Sequence, residues 1–147
     1  MDFKKILIRS SPRFGILGVV SILVGIIISA LHYQGRTGEK YSFLNHFVSE
    51  LGEFSYSEFA LAFNLGLILG GIFFLVLVLG LALYIGSWHG WVLGVTGGIF
   101  SLSGLMLGFF NMDRFVPHVI TAVIFFIMGL LVPLFFSLYV LFHHLIM

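Results

Sequence analysis

The sequence predicts an all-α integral membrane protein, with four transmembrane helices and one amphipathic interfacial helix on the outer side. Of its 147 residues, 60% are hydrophobic and only 9% are charged, whereas a soluble domain carries roughly 25% charged residues. The mean hydropathy is +1.16. Four apolar runs each match the roughly 20 residues that a helix needs to cross a bilayer. We therefore expect residues 1–147 to form a single membrane-embedded helical domain.

The chain begins with a short basic leader, residues 1–13, in which Lys4, Lys5, Arg9 and Arg13 outnumber Asp2. The first apolar run covers residues 14–31. It is longer than the roughly 7–15 apolar residues of a signal peptide, so we predict a retained transmembrane helix here.

Residues 32–57 are the one substantial polar segment, and within them we predict an amphipathic helix over residues 42–54. At 100° per residue the side chains separate into two faces. The apolar face holds Leu44, Phe47, Val48, Leu51 and Phe54, and the polar face holds Asn45, His46, Ser49, Glu50 and Glu53. Such a helix is expected to lie in the membrane interface with its polar face towards water.

Three more transmembrane helices are predicted over residues 58–85, 91–110 and 117–143. The turns between them, residues 86–90 and 111–116, are short, so neighbouring helices should be antiparallel. Pro117 suits the first turn of the fourth helix, where its missing N–H costs nothing. Pro133 predicts a kink in that helix.

Basic residues predict the orientation, because cytoplasmic loops carry an excess of Lys and Arg. The leader should then keep both termini and the 86–90 turn in the cytoplasm. Residues 32–57 and 111–116 would lie outside. We expect this arrangement in the plasma membrane.

Glycines at four-residue spacing predict close helix packing, since small residues let backbones approach each other in lipid. They are Gly66, Gly70, Gly90, Gly94, Gly98, Gly104 and Gly108. Packing inside one bundle is the simpler interpretation, and a dimer seam or lipid-binding groove is the sharper one. We also expect hydrogen bonds between helices from Asn64, Thr96, Ser101 and Thr121.

Both outer connections carry polar residues, so the predicted topology brings them together. His46 and Glu50 share a helix face and, with Asp113 and His118, could bind one divalent cation. Ser49, Glu53, Glu58 and Arg114 complete the outer cluster. Arg114 could instead hold a phosphate or lipid headgroup. The simpler alternative is a solvated interfacial helix and turn, with no bound ligand.

Other chemistries find little support in the sequence. There is no Cys, which excludes thiolate metal sites and cysteine nucleophiles. A net charge of +1 leaves no broad nucleic-acid surface. The apolar runs carry no Asp, Glu, Lys or Arg at their centres, which argues against a proton-coupled transporter, a pump or a voltage sensor. Haem is not expected, because the histidines that could ligate it lie near helix ends: His32, His46, His89, His118, His143 and His144.

Three short stretches carry a family resemblance. The first is Ser49-Glu50-Leu51-Gly52, the second spans residues 62–70 and opens with Ala62-Phe63-Asn64, and the third spans residues 118–126. Together they resemble the domain of unknown function 998 family of small polytopic membrane proteins. The resemblance implies no established activity or cofactor. It also implies that this chain is a short or truncated form, since family members tend to be longer.

The function that we expect is a non-enzymatic bundle that binds lipid, or a partner subunit, through its glycine-rich faces and outer polar cap. Membrane lipids are the expected partners, and a homo-oligomer or a larger membrane complex both stay open. Two alternatives remain. One is a metal-dependent, membrane-embedded lipid hydrolase at the outer cap, using metal-activated water. The other is a haem-binding electron carrier.

Overall fold

The computed structural model describes residues 2–146, with side chains as far as His143, and they form an all-α protein. The long helices are α1 (Phe3–Leu31), α2 (Ala60–Ile85), α3 (Trp88–Phe109) and α4 (Phe115–Ile146). Within these residues, four helices are long and apolar enough to cross a membrane. The all-α fold and the four apolar helices long enough to span a membrane are therefore confirmed.

The basic leader is part of α1 rather than a separate segment. Asp2 caps the helix, because its Oδ1 accepts a hydrogen bond from Lys4 N at 3.1 Å. An N-terminal carboxylate satisfies a free backbone N–H and interacts favourably with the helix dipole. As a result α1 starts eleven residues before the predicted boundary, at Phe3 rather than residue 14.

The other helix ends differ from the predictions by a few residues. Gly86 ends α2 in the left-handed conformation, with φ of 65°, which glycine adopts without steric cost. Ser87 then precedes α3 in an extended conformation, so α3 starts at Trp88 instead of residue 91. The fourth helix starts at Phe115, ahead of Pro117. It continues through Pro133, and the predicted kink there stays a prediction.

The predicted amphipathic helix over residues 42–54 is wrong. Residues 43–46 form a turn, and a 3-10 helix of five residues follows at Val48–Gly52. Phe47 is extended and its N–H donates to the Glu50 carboxylate at 2.8 Å, so the helix can only begin after it. Of the five apolar residues assigned to one face, only Leu51 is buried.

The helices pack in chain order, with the main contacts joining α1 to α2, α2 to α3 and α3 to α4. The position of a helix in this row determines how many of its residues are buried. In the most apolar stretch of α3, 39% of the residues are buried, whereas none is buried in that of α4. The bundle is therefore an open row in which α4 is an edge helix.

Most of the glycines singled out from the sequence lie against a neighbouring helix. A methyl group on Gly66 would come within 2.7 Å of Ser21 O on α1, and one on Gly108 within 2.5 Å of Asn64 O. Gly98 differs, because a methyl group there would meet no described atom of another helix within 4 Å. Gly70, Gly90, Gly94 and Gly104 contact neighbouring side chains or backbone.

The predicted hydrogen bonds between helices are not formed by the predicted residues. Thr96, Ser101 and Thr121 each donate to the carbonyl four residues earlier in their own helix. Hydroxyls in apolar helices have this local acceptor available at no cost in packing. Asn64 instead donates from Nδ2 to Gly52 O at 3.0 Å, which ties α2 to the polar connection.

Candidate functional site

We call residues 32–59 and 110–118 the polar cap; they connect the helices at one end of the bundle. Buried hydroxyls attach the cap to α1: Ser29 Oγ donates to Leu51 O at 2.6 Å and lies 2.7 Å from Ser57 Oγ. An antiparallel bridge pairs Tyr33 with Ser57. Because an unpaired buried hydroxyl is costly, these contacts fix the cap to the end of the bundle.

Glu50 acts as a local structural acceptor. Its Oε2 accepts from Tyr33 OH at 2.8 Å and its Oε1 from Phe47 N at 2.8 Å. Burial of Tyr33, followed by this hydrogen bond, raises the pKa of the phenol. Both carboxylate oxygens are therefore engaged in holding the short 3-10 helix in place.

His46 lies in an aromatic cluster close to a different carboxylate. Its ring centroid is 5.2 Å from that of Tyr33 and 5.7 Å from that of Tyr41. His46 Nε2 lies 3.4 Å from Glu39 Oε1. Hydrogen bonds from the Thr37 hydroxyl and from backbone N–H groups, with a smaller contribution from His46, lower the pKa of Glu39 to about 2. Glu39 was not among the residues chosen from the sequence.

Asp113 joins the two parts of the polar cap. Its Oδ2 accepts from Phe54 N at 3.0 Å and its Oδ1 from Ser55 Oγ at 3.3 Å. The two connections therefore meet through Asp113. Burial, and then the Asp113 charge, raise the pKa of Glu53.

The four proposed metal ligands each have other partners. His118 is buried, and its Nδ1 lies 2.7 Å from Phe110 O; His46, Glu50 and Asp113 make the contacts given above. In the part of the chain that the structure describes, no three His, Asp or Glu side chains are grouped to hold a metal ion. Ser49 and Glu53 are half-buried, and Glu58 and Arg114 are exposed. The metal site stays a prediction.

The remaining histidines are distributed between the two ends of the bundle. His32 Nδ1 lies 2.9 Å from Ile28 O, and His89 Nδ1 lies 3.4 Å from Ser87 Oγ. The ring of His143 stacks on Tyr139 at 5.6 Å. The side chain of His144 lies outside the described residues. The expectation that no haem is bound stays a prediction.

At the end opposite the polar cap, α1, α2 and α3 enclose an apolar groove that the sequence analysis did not identify. Its volume is about 470 Å³. Its lining includes Lys4, Leu79, Leu83, Trp91, Gly94 and Val95. Two glycines of α3, Gly90 and Gly94, lie against Ala82 of α2 and contribute no side chain to fill the space.

The mouth of this groove is positively charged. Lys4 is exposed and, of the described residues that line the groove, is the charged one. Among the described residues, no carboxylate oxygen lies within 4.0 Å of the basic groups of Lys4, Lys5, Arg9 or Arg13. We call this the basic groove. In the sequence, the features that form this groove are the basic residues of the leader, the glycines at four-residue spacing in α3, and Trp91. They are far apart in the chain, and only the fold brings them together.

A comparison with protein families identifies a match to the family described as "Protein of unknown function (DUF998)", over residues 16–143. No curated protein matches the chain. No solved structure matches it either. The matched region begins near the middle of α1, covers α2 and α3 completely, and reaches the end of the described side chains in α4. It therefore includes part or all of each of the four candidate membrane spans. The chain belongs to the DUF998 family.

Proposed function

We propose that this protein is a non-enzymatic membrane protein that binds an anionic phospholipid in the basic groove. The observation that carries the proposal is the combination of an apolar space of about 470 Å³ with Lys4, which lines it and has no ion-pair partner among the described residues. An acyl chain would occupy the apolar part, and the lipid phosphate would lie near Lys4.

Charge and shape, rather than hydrophobicity, would supply the affinity. A lipid tail leaves one apolar environment for another, so little hydrophobic free energy is gained. A lysine near an anionic membrane surface contributes about 1 kcal/mol, and the other leader charges add to the local potential. The groove should therefore select lipids by headgroup charge. A larger side chain that fills the groove should prevent an acyl chain from entering it.

We favour lipid binding over the partner-subunit alternative, because most of the glycines that could form a dimer seam, with the exception of Gly98, pack inside the bundle. Gly66 packs on α1, and Gly104 contacts Phe125 of α4. The hydrolase alternative requires His46, Glu50 and Asp113 to converge, whereas each has its own hydrogen-bond partner. Lipid binding in the basic groove requires no change in the glycine packing and no convergence of these three side chains.

We further propose that the basic groove faces the cytoplasm, with both termini on that side of the plasma membrane. The support is the cluster of four basic residues at the start of α1, since such clusters remain in the cytoplasm. Single cysteines at Gly38 and Ser87 should react with an impermeant thiol reagent from opposite sides of the membrane. Reaction of both from one side would contradict this topology.

Lipid binding can be measured by native mass spectrometry. The protein is released in the spectrometer from a membrane mimic that contains both phosphatidylglycerol and phosphatidylcholine, and the lipid that stays bound is identified by mass. The Gly94→Leu variant fills the groove and should lose most of the bound lipid. Gly98→Leu is the matched control, because it makes the same change one turn later at a position with open space around it. It should bind lipid as the wild type does.

The headgroup part of the proposal has its own variant. Lys4→Gln should reduce the preference for phosphatidylglycerol over phosphatidylcholine about fivefold, as the loss of about 1 kcal/mol implies. Equal lipid binding by the wild type and Gly94→Leu would refute the groove. An unchanged headgroup preference in Lys4→Gln would refute the assignment of Lys4.

A further inference from the structure

A second cavity, of about 600 Å³, lies in the polar cap between residues 34–38 and residues 54–58. It is unlike the basic groove, because most of its lining residues are polar or glycine. Two charged side chains of opposite sign line it, Arg36 and Glu58. None of the proposed metal ligands lines the cavity, although Asp113 accepts hydrogen bonds from two lining residues, Phe54 and Ser55.

The walls of this cavity are held by backbone contacts. Gln34 N donates to Tyr56 O at 3.0 Å, next to the bridge between Tyr33 and Ser57. On the other side, Gly35 N donates to Glu39 O at 2.8 Å and closes the loop that carries Arg36. A cavity with fixed walls binds a ligand without the cost of ordering a loop.

Arg36 and Glu58 are both available to a ligand. The guanidinium carbon of Arg36 lies 5.2 Å from the centroid of the Tyr56 ring, a cation–π contact that holds the charge at the cavity wall. In the described part of the chain, neither Arg36 nor Glu58 has an oppositely charged group within 4.0 Å. The cavity therefore presents one cation and one anion that form no ion pair with each other, although the charge of Arg36 also acts on Glu53, which lies outside the lining.

We propose that this cavity binds a small zwitterion of the phosphoethanolamine type, with its phosphate at Arg36 and its ammonium at Glu58. A guanidinium donates paired hydrogen bonds that match phosphate oxygens, and a carboxylate accepts from an ammonium. A ligand with a single charge would satisfy only one of the two side chains. The proposal is independent of lipid binding in the basic groove.

The test is isothermal titration calorimetry of the purified full chain in detergent with phosphoethanolamine, inorganic phosphate and ethanolamine. Phosphoethanolamine should bind at least about tenfold more tightly than either single-charge probe, because charge-assisted hydrogen bonds form at both ends. Arg36→Gln and Glu58→Gln should each weaken its binding about tenfold. Lys40→Gln is the control, since Lys40 is exposed nearby and does not line the cavity. This variant should bind phosphoethanolamine with the affinity of the wild type.

Charge reversal separates zwitterion recognition from simple charge attraction. Arg36→Glu alone and Glu58→Arg alone should each abolish binding, because the cavity then carries two like charges. The double variant should bind within about threefold of the wild type, since the ligand can reverse its direction. If a reversal variant fails to fold, as judged by circular dichroism, the two glutamine variants decide the matter.

Nanodiscs identify the source of the ligand. If phosphatidylethanolamine in the nanodisc weakens the binding of free phosphoethanolamine relative to phosphatidylglycerol nanodiscs, the ligand is a lipid headgroup. If it has no effect, the ligand is a free zwitterion, and either result supports the proposal. Three results would overturn it: phosphate alone binding as tightly as phosphoethanolamine, no effect of Glu58→Gln, or no phosphoethanolamine binding by the wild type.

Discussion

Two carboxylates in the polar cap respond to their surroundings in opposite ways. Glu39 accepts hydrogen bonds from the Thr37 hydroxyl and backbone, which lower its pKa to about 2. Glu53 loses hydration and lies near Asp113, and these effects raise its pKa despite the opposing charge of Arg36. The ionised form is therefore stabilised in Glu39 and penalised in Glu53.

These shifts predict opposite pH effects on stability. Glu53 has a raised pKa in the folded state, so stability falls as the pH rises from 4.5, the ordinary pKa, through the raised value. Glu53→Gln should therefore raise the Tm at pH 7, and the difference from the wild type should vanish near pH 4. Thermal unfolding in detergent at a series of pH values measures this.

For Glu39→Gln, the expected change in Tm at pH 7 has the opposite sign. The stability that Glu39 contributes is complete above pH 4.5 and is lost as the pH falls towards 2, the pKa in the folded state. This variant should lower the Tm at pH 7. An equal or lower Tm for Glu53→Gln at pH 7 would contradict the environment assigned to Glu53.

The sequence predicted that the two polar connections lie together, but not which residues would contact each other there. Asp113 was expected there, and it does join the two connections. Its contacts are a backbone N–H and a serine, which no charge pattern could indicate. Ser29 was missed altogether, because a single hydroxyl in an apolar run has no visible partner until Leu51 and Ser57 are placed beside it.

Among the secondary-structure elements, long apolar helices were predictable and the short polar helix was not. Bilayer thickness sets the length of α2 and α3 and leaves little choice of conformation. Residues 42–54 have no such constraint. There the Glu50 carboxylate accepts from Phe47 N, and this local contact replaces an α-helix by a turn and Val48–Gly52.

Helix packing gives a prediction at this scale. Gly71 of α2 faces α3 so closely that a Cβ atom would lie 2.7 Å from Ser101 O and from Leu105 N. Because backbone atoms cannot move aside easily, Gly71→Leu should destabilise the protein by about 1–3 kcal/mol, as overpacking typically does. Gly98→Leu, with open space around it, should have little effect on the Tm. Equal Tm values for the two variants would show that α2 and α3 do not pack as described.

At the scale of the whole molecule, the helices form a row with a polar cap at one end and the basic groove at the other. The number of spans followed from composition and length. The groove did not, because Lys4, Leu83 and Val95 belong to three different helices. The exposed apolar surface of α4 also follows only from its edge position.

The most direct test of the proposed function is photocrosslinking with a phosphatidylglycerol that carries a diazirine in its acyl chain. In nanodiscs, we expect mass spectrometry to find crosslinks concentrated on Leu79, Leu83 and Val95, which line the basic groove. The yield should exceed that of the matching phosphatidylcholine probe, and Gly94→Leu should remove most of it. Crosslinks spread along the exposed face of α4, equal for both headgroups and unchanged in Gly94→Leu, would contradict lipid binding in the groove.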